Sequence, residues 1–290
     1  MFKIGKKKIG DGNPTYITFE IGPTHNGLKS CLKYLDITKN VGADALKIQM
    51  VDADRLISNK KQLFEFSFLS KNRKKLIKKE ESLFEILKRR QLSKEEIIKL
   101  KKSADKKNIE FFCTIFFEDD VDFVKEIGCK SIKIASADLN HLPLIKKAAK
   151  SGLSIQIDTG MSSLKEIYSA VKEIKSQKNN NIIIHHCPSG YPARLDGIDL
   201  NIIKTLKSKF KFPIAFSDHY SGYDFDILAV ALGANLIEKT ITFDRTVPEV
   251  EHVMSIETSE ASKFVNKIRN TEVGLGKYNR ILDLKQKKKR

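Results

Sequence analysis

Apolar and polar positions along this 290-residue chain fall into two alternating rhythms. Short runs rich in Ile, Val, Phe and Ala predict strands, and longer runs with apolar residues three or four apart predict helices. The opening stretch, 2–9, alternates weakly before an Asp11-Gly12-Asn13-Pro14 turn, which predicts a small hairpin or cap. Strands are predicted over 16–21, 44–50, 110–114, 131–136, 154–158, 182–186, 213–216 and 235–241. Helices are predicted over 30–41, 119–127, 142–150, 164–176, 198–209, 224–232 and 259–270. One more helix, ending near Lys107, opens on Ser93-Lys94-Glu95-Glu96, a capping-box signature. Residues 51–92 are the least regular: Phe64, Phe66, Phe68 and Leu69 are apolar, and 71–90 is densely charged. That stretch is too long for a plain loop, so local helix is expected within it, with 71–90 as a solvated helix face.

Counted from Tyr16, eight strands each precede a helix. That repeat and the overall length suit an α/β fold of the (β/α)8 TIM-barrel class, at about 250 residues. An open doubly wound sheet is the competitor, but no GxGxxG follows the first strand. The expected organisation is an N-terminal hairpin cap over 1–15, a barrel over 16–275 and a frayed basic tail over 276–290.

Charge changes the picture only modestly. Lys and Arg number 53 against 36 Asp and Glu, for a net charge of +17. The lysines are spread along the chain, and no zinc-finger spacing or RNP-like aromatic stretch accompanies them. A solvated basic surface is therefore favoured over a nucleic-acid interface, and it would also steer anionic substrates. The four cysteines at 31, 113, 129 and 187 form no CxxC pair and read as reduced, buried thiols of a cytosolic protein. No apolar run approaches the length of a membrane span, and the N-terminus lacks the apolar core of a signal peptide.

In a barrel of this class the chemistry sits at the C-terminal ends of the strands. Polar groups stand there in every predicted strand: Glu20, Lys47 with Gln49, Thr114, Lys133 with Ser136, Asp158-Thr159-Gly160, His185-His186-Cys187, Ser217-Asp218-His219 and Glu238-Lys239-Thr240. Lys47 and Lys133 interrupt otherwise apolar strands at the same rim. With nearby hydroxyls and Gly160, two ammonium groups suggest a site for a phosphorylated, carboxylated anion. Glu20 is expensive to bury unless paired or used. Glu238 and Thr240 share a face. Only one of His185 and His186 can point inward, and His219 beside Asp218 suggests a base or a metal ligand.

Several segments together carry a family likeness: FEIGPTHNG (19–27), GADALKIQ (42–49), KIASADLNHLPLI (133–145), DTGM (158–161), HHCPSGYP (185–192), FSDHYSG (216–222), ALGANLIEKTITFDR (231–245) and EHVMSIE (251–257). In order and across nearly the whole chain, they resemble the sialic acid synthase family. The resemblance implies a (β/α)8 barrel that condenses phosphoenolpyruvate with an amino-sugar aldose such as N-acetylmannosamine. It implies a homodimer, with a divalent metal, Mn2+ or Mg2+, polarising the aldehyde, and the cysteine pattern adds a cytoplasmic location.

By the same resemblance, Lys47, Lys133, Thr114, Ser136, Gly160 and Ser217 would hold phosphoenolpyruvate. Glu20 would orient or activate water, and Gln49 and Tyr191 would face the sugar. His219 would bind the metal, with Thr240 where the family has a second metal-binding His. Asp218 joins Glu20, Lys47 and Lys133 in the expected catalytic set. Thr159, His186, Glu238 and Glu251, the last in place of a sugar-binding Asp, complete the substrate-binding set. Asp158 stands where the family has Ser, and the family's C-terminal antifreeze-like domain has no counterpart in the sequence. A synthase of a shorter sugar acid and a non-catalytic sugar-binding barrel are the alternatives.

Overall fold

The computed structural model describes residues 2–276. All but the first residue of the expected basic tail lies outside them. Two short strands, β1 (Phe2–Ile4) and β2 (Lys7–Ile9), form an antiparallel hairpin. The first barrel strand follows, β3 (Tyr16–Glu20), then α1 (Gly27–Asn40) and β4 (Ala45–Gln49).

An excursion separates β4 from the next barrel strand: α2 (Ala53–Leu56), β5 (Leu63–Leu69), β6 (Leu76–Ser82) and α3 (Leu83–Arg89). The expected helix face over 71–90 is corrected here. Its first half turns and returns as β6, paired antiparallel with β5, and only its second half is helical. Phe64, Phe66 and Phe68 alternate along β5, a period of two that suits a strand. Phe66 is buried with Ile86 and Val250, and Phe64 and Phe68 flank that cluster.

The regular rhythm resumes with α4 (Lys94–Lys106), whose Ser93–Glu96 capping box is formed. Then come β7 (Glu110–Ile115), α5 (Glu118–Glu126), β8 (Ser131–Ile134), α6 (Leu142–Lys150), β9 (Ser154–Asp158) and α7 (Leu164–Ser176). The last units are β10 (Ile182–His186), α8 (Asn201–Lys209), β11 (Ile214–Asp218), α9 (Asp224–Ala231), β12 (Leu236–Thr242), a two-residue β13 (Ile256–Glu257) and α10 (Ala261–Leu275).

Strands β3, β4, β7, β8, β9, β10, β11 and β12 pair in parallel in that order, and β12 pairs back onto β3. The sheet is thus a closed eight-stranded barrel ringed by helices, and an open doubly wound sheet is excluded. Strand alternation sorts the side chains. Ile17, Phe19, Leu46, Ile48, Ile132, Ile155, Ile184 and Ile237 belong to the core between strands and helices. Facing in at the base are Tyr16, Ala45, Phe112, Ile183, Ala215 and Leu236, which the hairpin closes with Ile4 and Ile9. Above this apolar floor the inward positions turn polar. The floor keeps water from entering below, so the polar layer opens only toward the C-terminal mouth.

Candidate active site

At that mouth, two lysines from β4 and β8, strands separated only by β7, converge on one carboxylate of β12. Lys47 Nζ lies 2.8 Å from Glu238 Oε1 and 2.5 Å from Glu20 Oε2. Lys133 Nζ lies 2.5 Å from the same Glu238 oxygen and 2.9 Å from Asp158 Oδ2. Thr114 Oγ1 accepts from Lys47 at 3.2 Å, and Ser217 Oγ accepts from Lys133 at 3.2 Å. Parallel pairing dictates this meeting. Ser217 is in register with Glu238, Glu20 with Lys47 and with Thr240, and Thr114 with Lys133.

Two ammonium groups thus share three carboxyl groups at a buried site. Burial opposes ionisation of Glu238, but Lys133 and Lys47 outweigh it and hold the carboxyl well below its usual range. Burial lowers the Lys47 pKa, yet Glu20 and Glu238 reverse the effect and keep it charged. Burial pushes the Glu20 and Asp158 carboxyls upward, against the pull of Lys47 and Lys133 respectively. Removing one member of such a network leaves an uncompensated buried charge, so the lysines cannot be ornamental.

A cavity of about 270 Å³ rises from this cluster, lined above by Gln49, Ser136, Tyr191, His219, Thr240 and Glu251. The Tyr191 and His219 rings lie 4.8 Å apart. Burial and Lys133 depress His219 to a pKa of about 4, so its imidazole is neutral at pH 7. Glu251 sits in the left-handed region at φ 74°. Its carboxyl is pushed up to about 7 by burial, opposed by Arg90. Arg90 also lines the cavity. It donates to Val250 O at 3.0 Å and lies 3.8 Å from Glu251. The apolar wall beside it is Phe64, Leu83, Ile86 and Leu87, so the β4–β7 excursion builds one side of the cavity.

Comparison with known proteins gives the family of the chain. Residues 34–280 match the profile of the NeuB family. The chain belongs to this family. It is 32% identical over 277 residues to the N,N'-diacetyllegionaminic acid synthase of Legionella pneumophila, covering 94% of this chain and 76% of that protein. It is 30% identical over 280 residues to the human N-acetylneuraminate-9-phosphate synthase, covering 92% of this chain and 73% of that one. The crystal structure of N-acetylneuraminic acid (sialic acid) synthetase from Leptospira borgpetersenii, in complex with citrate, superposes with a TM-score of 0.87 at 33% identity, covering 99% and 94% of the two chains. The NeuB-family chain is an enzyme of the sialic acid synthase type.

Not every residue expected in the site of this NeuB-family enzyme faces the cavity. Asp218 was expected in the catalytic set, but it alternates out of the barrel. Its carboxylate binds Lys239, which in turn donates to Tyr220 O at 2.6 Å and lies 3.8 Å from Asp226. This fully buried trio lies behind the strands and fixes the chain beside His219. His186 likewise faces outward: its Nε2 meets Ile198 O at 2.7 Å and its ring packs on Phe216. The inward member of the pair is His185, wholly buried. Thr159 directs its hydroxyl to His185 O at 2.7 Å rather than into the cavity. Gly160 borders the neighbouring groove and Ser136. A Cβ there would meet Cys187 O at 3.0 Å and Ser136 Oγ at 3.2 Å, so any side chain would have to push those neighbours aside by a few tenths of an ångström. Strand alternation was the signal that separated Asp218 from Ser217. Nothing local marked Arg90, which reaches the site through the excursion.

The metal expectation fares differently. His219 brings one imidazole, with Nδ1 at 3.0 Å from Pro188 O. Thr240 brings only a hydroxyl, a weak donor to a borderline ion. Of the carboxyl groups lining the cavity, Glu20 and Glu238 are already paired with lysine. Among the described residues, no three His, Cys, Asp or Glu side chains are grouped to hold a metal ion. The donors present therefore do not fit the expected site. Among the described residues the four cysteines are free and buried, and no helix is long and apolar enough to cross a membrane.

Proposed function

We propose that this enzyme condenses phosphoenolpyruvate with an N-acetylhexosamine-type aldose, N-acetylmannosamine-like, to give a nonulosonic acid and phosphate for surface polysaccharide or glycan synthesis. The observation that carries the reading is the convergence of Lys47 and Lys133, with Thr114 and Ser217, at the buried base of the cavity. Two ammonium groups and two hydroxyls suit the carboxylate and phosphate of phosphoenolpyruvate. When that anion arrives, it replaces part of the carboxylate shell now held by the lysines. The names of the relatives support the product class.

In this reading the enol carbon of phosphoenolpyruvate attacks the aldehyde carbon of the open-chain sugar, forming the new C–C bond. The C=O pair moves onto the aldehyde oxygen, water adds to the resulting cationic carbon, and its two protons pass to that oxygen and to the phosphate as the C–O bond to phosphate breaks and leaves the ketone. Glu20 stands beside Lys47 where it can take the proton from water; its upward-shifted carboxyl makes it a better base than an exposed glutamate. Lys133 and Lys47 offset the charge of the departing phosphate. Tyr191, Gln49 and Glu251 line the wider outer part of the cavity and orient the sugar.

The test is phosphate release from phosphoenolpyruvate, offered N-acetylated hexosamines and plain aldoses in turn, each with Mn2+, Mg2+ or chelator. Release that requires an N-acetylhexosamine is expected, and Lys47→Met or Lys133→Met should abolish it. Release driven only by an unacetylated shorter aldose would replace this reading with synthesis of a shorter sugar acid. Absence of phosphoenolpyruvate binding would remove the catalytic reading.

A further inference from the structure

Below the lysine cluster a directional chain of buried polar groups runs through the barrel. Ser131 Oγ donates to Ser154 O at 3.0 Å. Its single hydrogen is thereby committed, so at Ser131 Oγ the Gln156 amide donates, at 2.9 Å. That turns Gln156 Oε1 toward His185 Nε2, 2.9 Å away, and an acceptor there requires Nε2–H. A neutral His185 is then left with a bare acceptor at Nδ1. Nδ1 faces Asp158 Oδ1 at 3.6 Å, and both atoms are buried without a partner. Two bare acceptors facing each other, each shut off from solvent, repel, and a proton between them satisfies both. A side-chain shift of about 0.5 Å brings the pair to hydrogen-bonding distance.

We infer that Asp158 is a carboxylic acid rather than a carboxylate in the folded enzyme, its Oδ1 proton directed at His185 Nδ1, and that this proton permits an anionic substrate to enter beside Lys133. The charge count supports the assignment. With Asp158 ionised, the two ammonium groups of Lys47 and Lys133 face three carboxylates, Glu20, Glu238 and Asp158, and an incoming anion meets a net negative site. With Asp158 neutral, the four remaining charges cancel. The groups that face Asp158 from the surrounding elements are Lys133 on β8, Lys47 on β4, Glu238 on β12, His185 on β10, and Cys187 and Tyr191 after β10. The proton belongs on the acid rather than on the imidazole. His185 is wholly buried beside Lys133, which drives it toward neutrality, whereas burial drives Asp158 toward its neutral form.

Two measurements need no substrate and stand apart from the proposed reaction. Nitrogen-15 NMR of histidine-labelled wild-type enzyme should show His185 as the neutral Nε2–H tautomer between pH 6 and 9; protonated Nδ1 would overturn the assignment. Infrared difference spectra of wild type against Asp158→Asn or Asp158→Ser at pH 7 should contain a protonated-carboxyl C=O band. A carboxylate band in its place would also overturn it. The third measurement rests on the proposed reaction. The ratio of phosphoenolpyruvate Kd between wild type and Asp158→Asn should climb tenfold per pH unit once Asp158 ionises, while the anion's own titration cancels. A flat ratio alongside the expected spectra would sink the role in substrate entry. Failure of both proteins to bind phosphoenolpyruvate would instead remove the proposed reaction and leave the proton where the spectra put it.

Discussion

Lys239 and Glu238 are neighbours in sequence and do opposite jobs. Glu238 points into the barrel to collect Lys47 and Lys133, while Lys239 points out to collect Asp218 and the carbonyl of Tyr220. Lys239 is fully buried, so Lys239→Met should cost about 3–5 kcal/mol in denaturant unfolding at pH 7, the usual penalty for orphaning a buried charge. Asp226→Asn should cost far less. Burial and Asp218 raise the Asp226 carboxyl well above its usual range, which favours its neutral form. His252 gives a pH-dependent contrast. Burial and Arg90 depress its pKa from 6.5 to about 4, so the folded state binds fewer protons than the unfolded chain between those values. Stability from this residue is complete above about pH 6.5 and is lost as pH falls toward 4. The advantage of wild type over His252→Asn should shrink by roughly 3 kcal/mol across that window, read from thermal or denaturant midpoints.

At the scale of elements, strands were easier to read than the excursion. Barrel strands are buried on both faces, so apolar runs such as Ile182-Ile183-Ile184 ended by a polar pair stand out whatever their partners. β5 and β6 form a two-stranded ribbon mostly open to water, and the lysines of β6 carried the same pattern as a solvated helix. What fixed β5 as a strand was tertiary: Phe66 needs Ile86 and Val250 on one face. Phe66→Ala should destabilise by about 3–5 kcal/mol. Because Val250 precedes Glu251 in the cavity wall, the same variant should raise KM for the sugar more than for phosphoenolpyruvate. Equal rises in steady-state kinetics would mean that the excursion does not shape the sugar side.

The whole molecule carries a net charge of +17, and it surrounds a cavity whose inner charges nearly cancel. Under the proposed function, attraction of the anion from a distance falls to the surface and its retention to the lysine cluster. Raising ionic strength from about 0.01 M to 0.15 M shortens the screening length from about 30 Å to about 8 Å. kcat/KM for phosphoenolpyruvate should fall over that range while kcat holds; a salt-independent kcat/KM would show that surface charge plays no part in capture. The sequence by itself determined the eight-unit barrel, the rim that carries the chemistry, and most of the residues gathered there, including Lys47, Lys133, Glu20, Ser217 and Glu238. Period-two alternation and strand-exit position are local properties, and they survive without knowledge of neighbours. Only the tertiary structure decided that Asp218 and His186 face the helices, that Arg90 reaches the cavity from a distant excursion, and that Asp158 and His185 meet with both acceptors bare. Those outcomes depend on which strand lies beside which and on which side chains burial leaves without water. Both are set when the barrel closes.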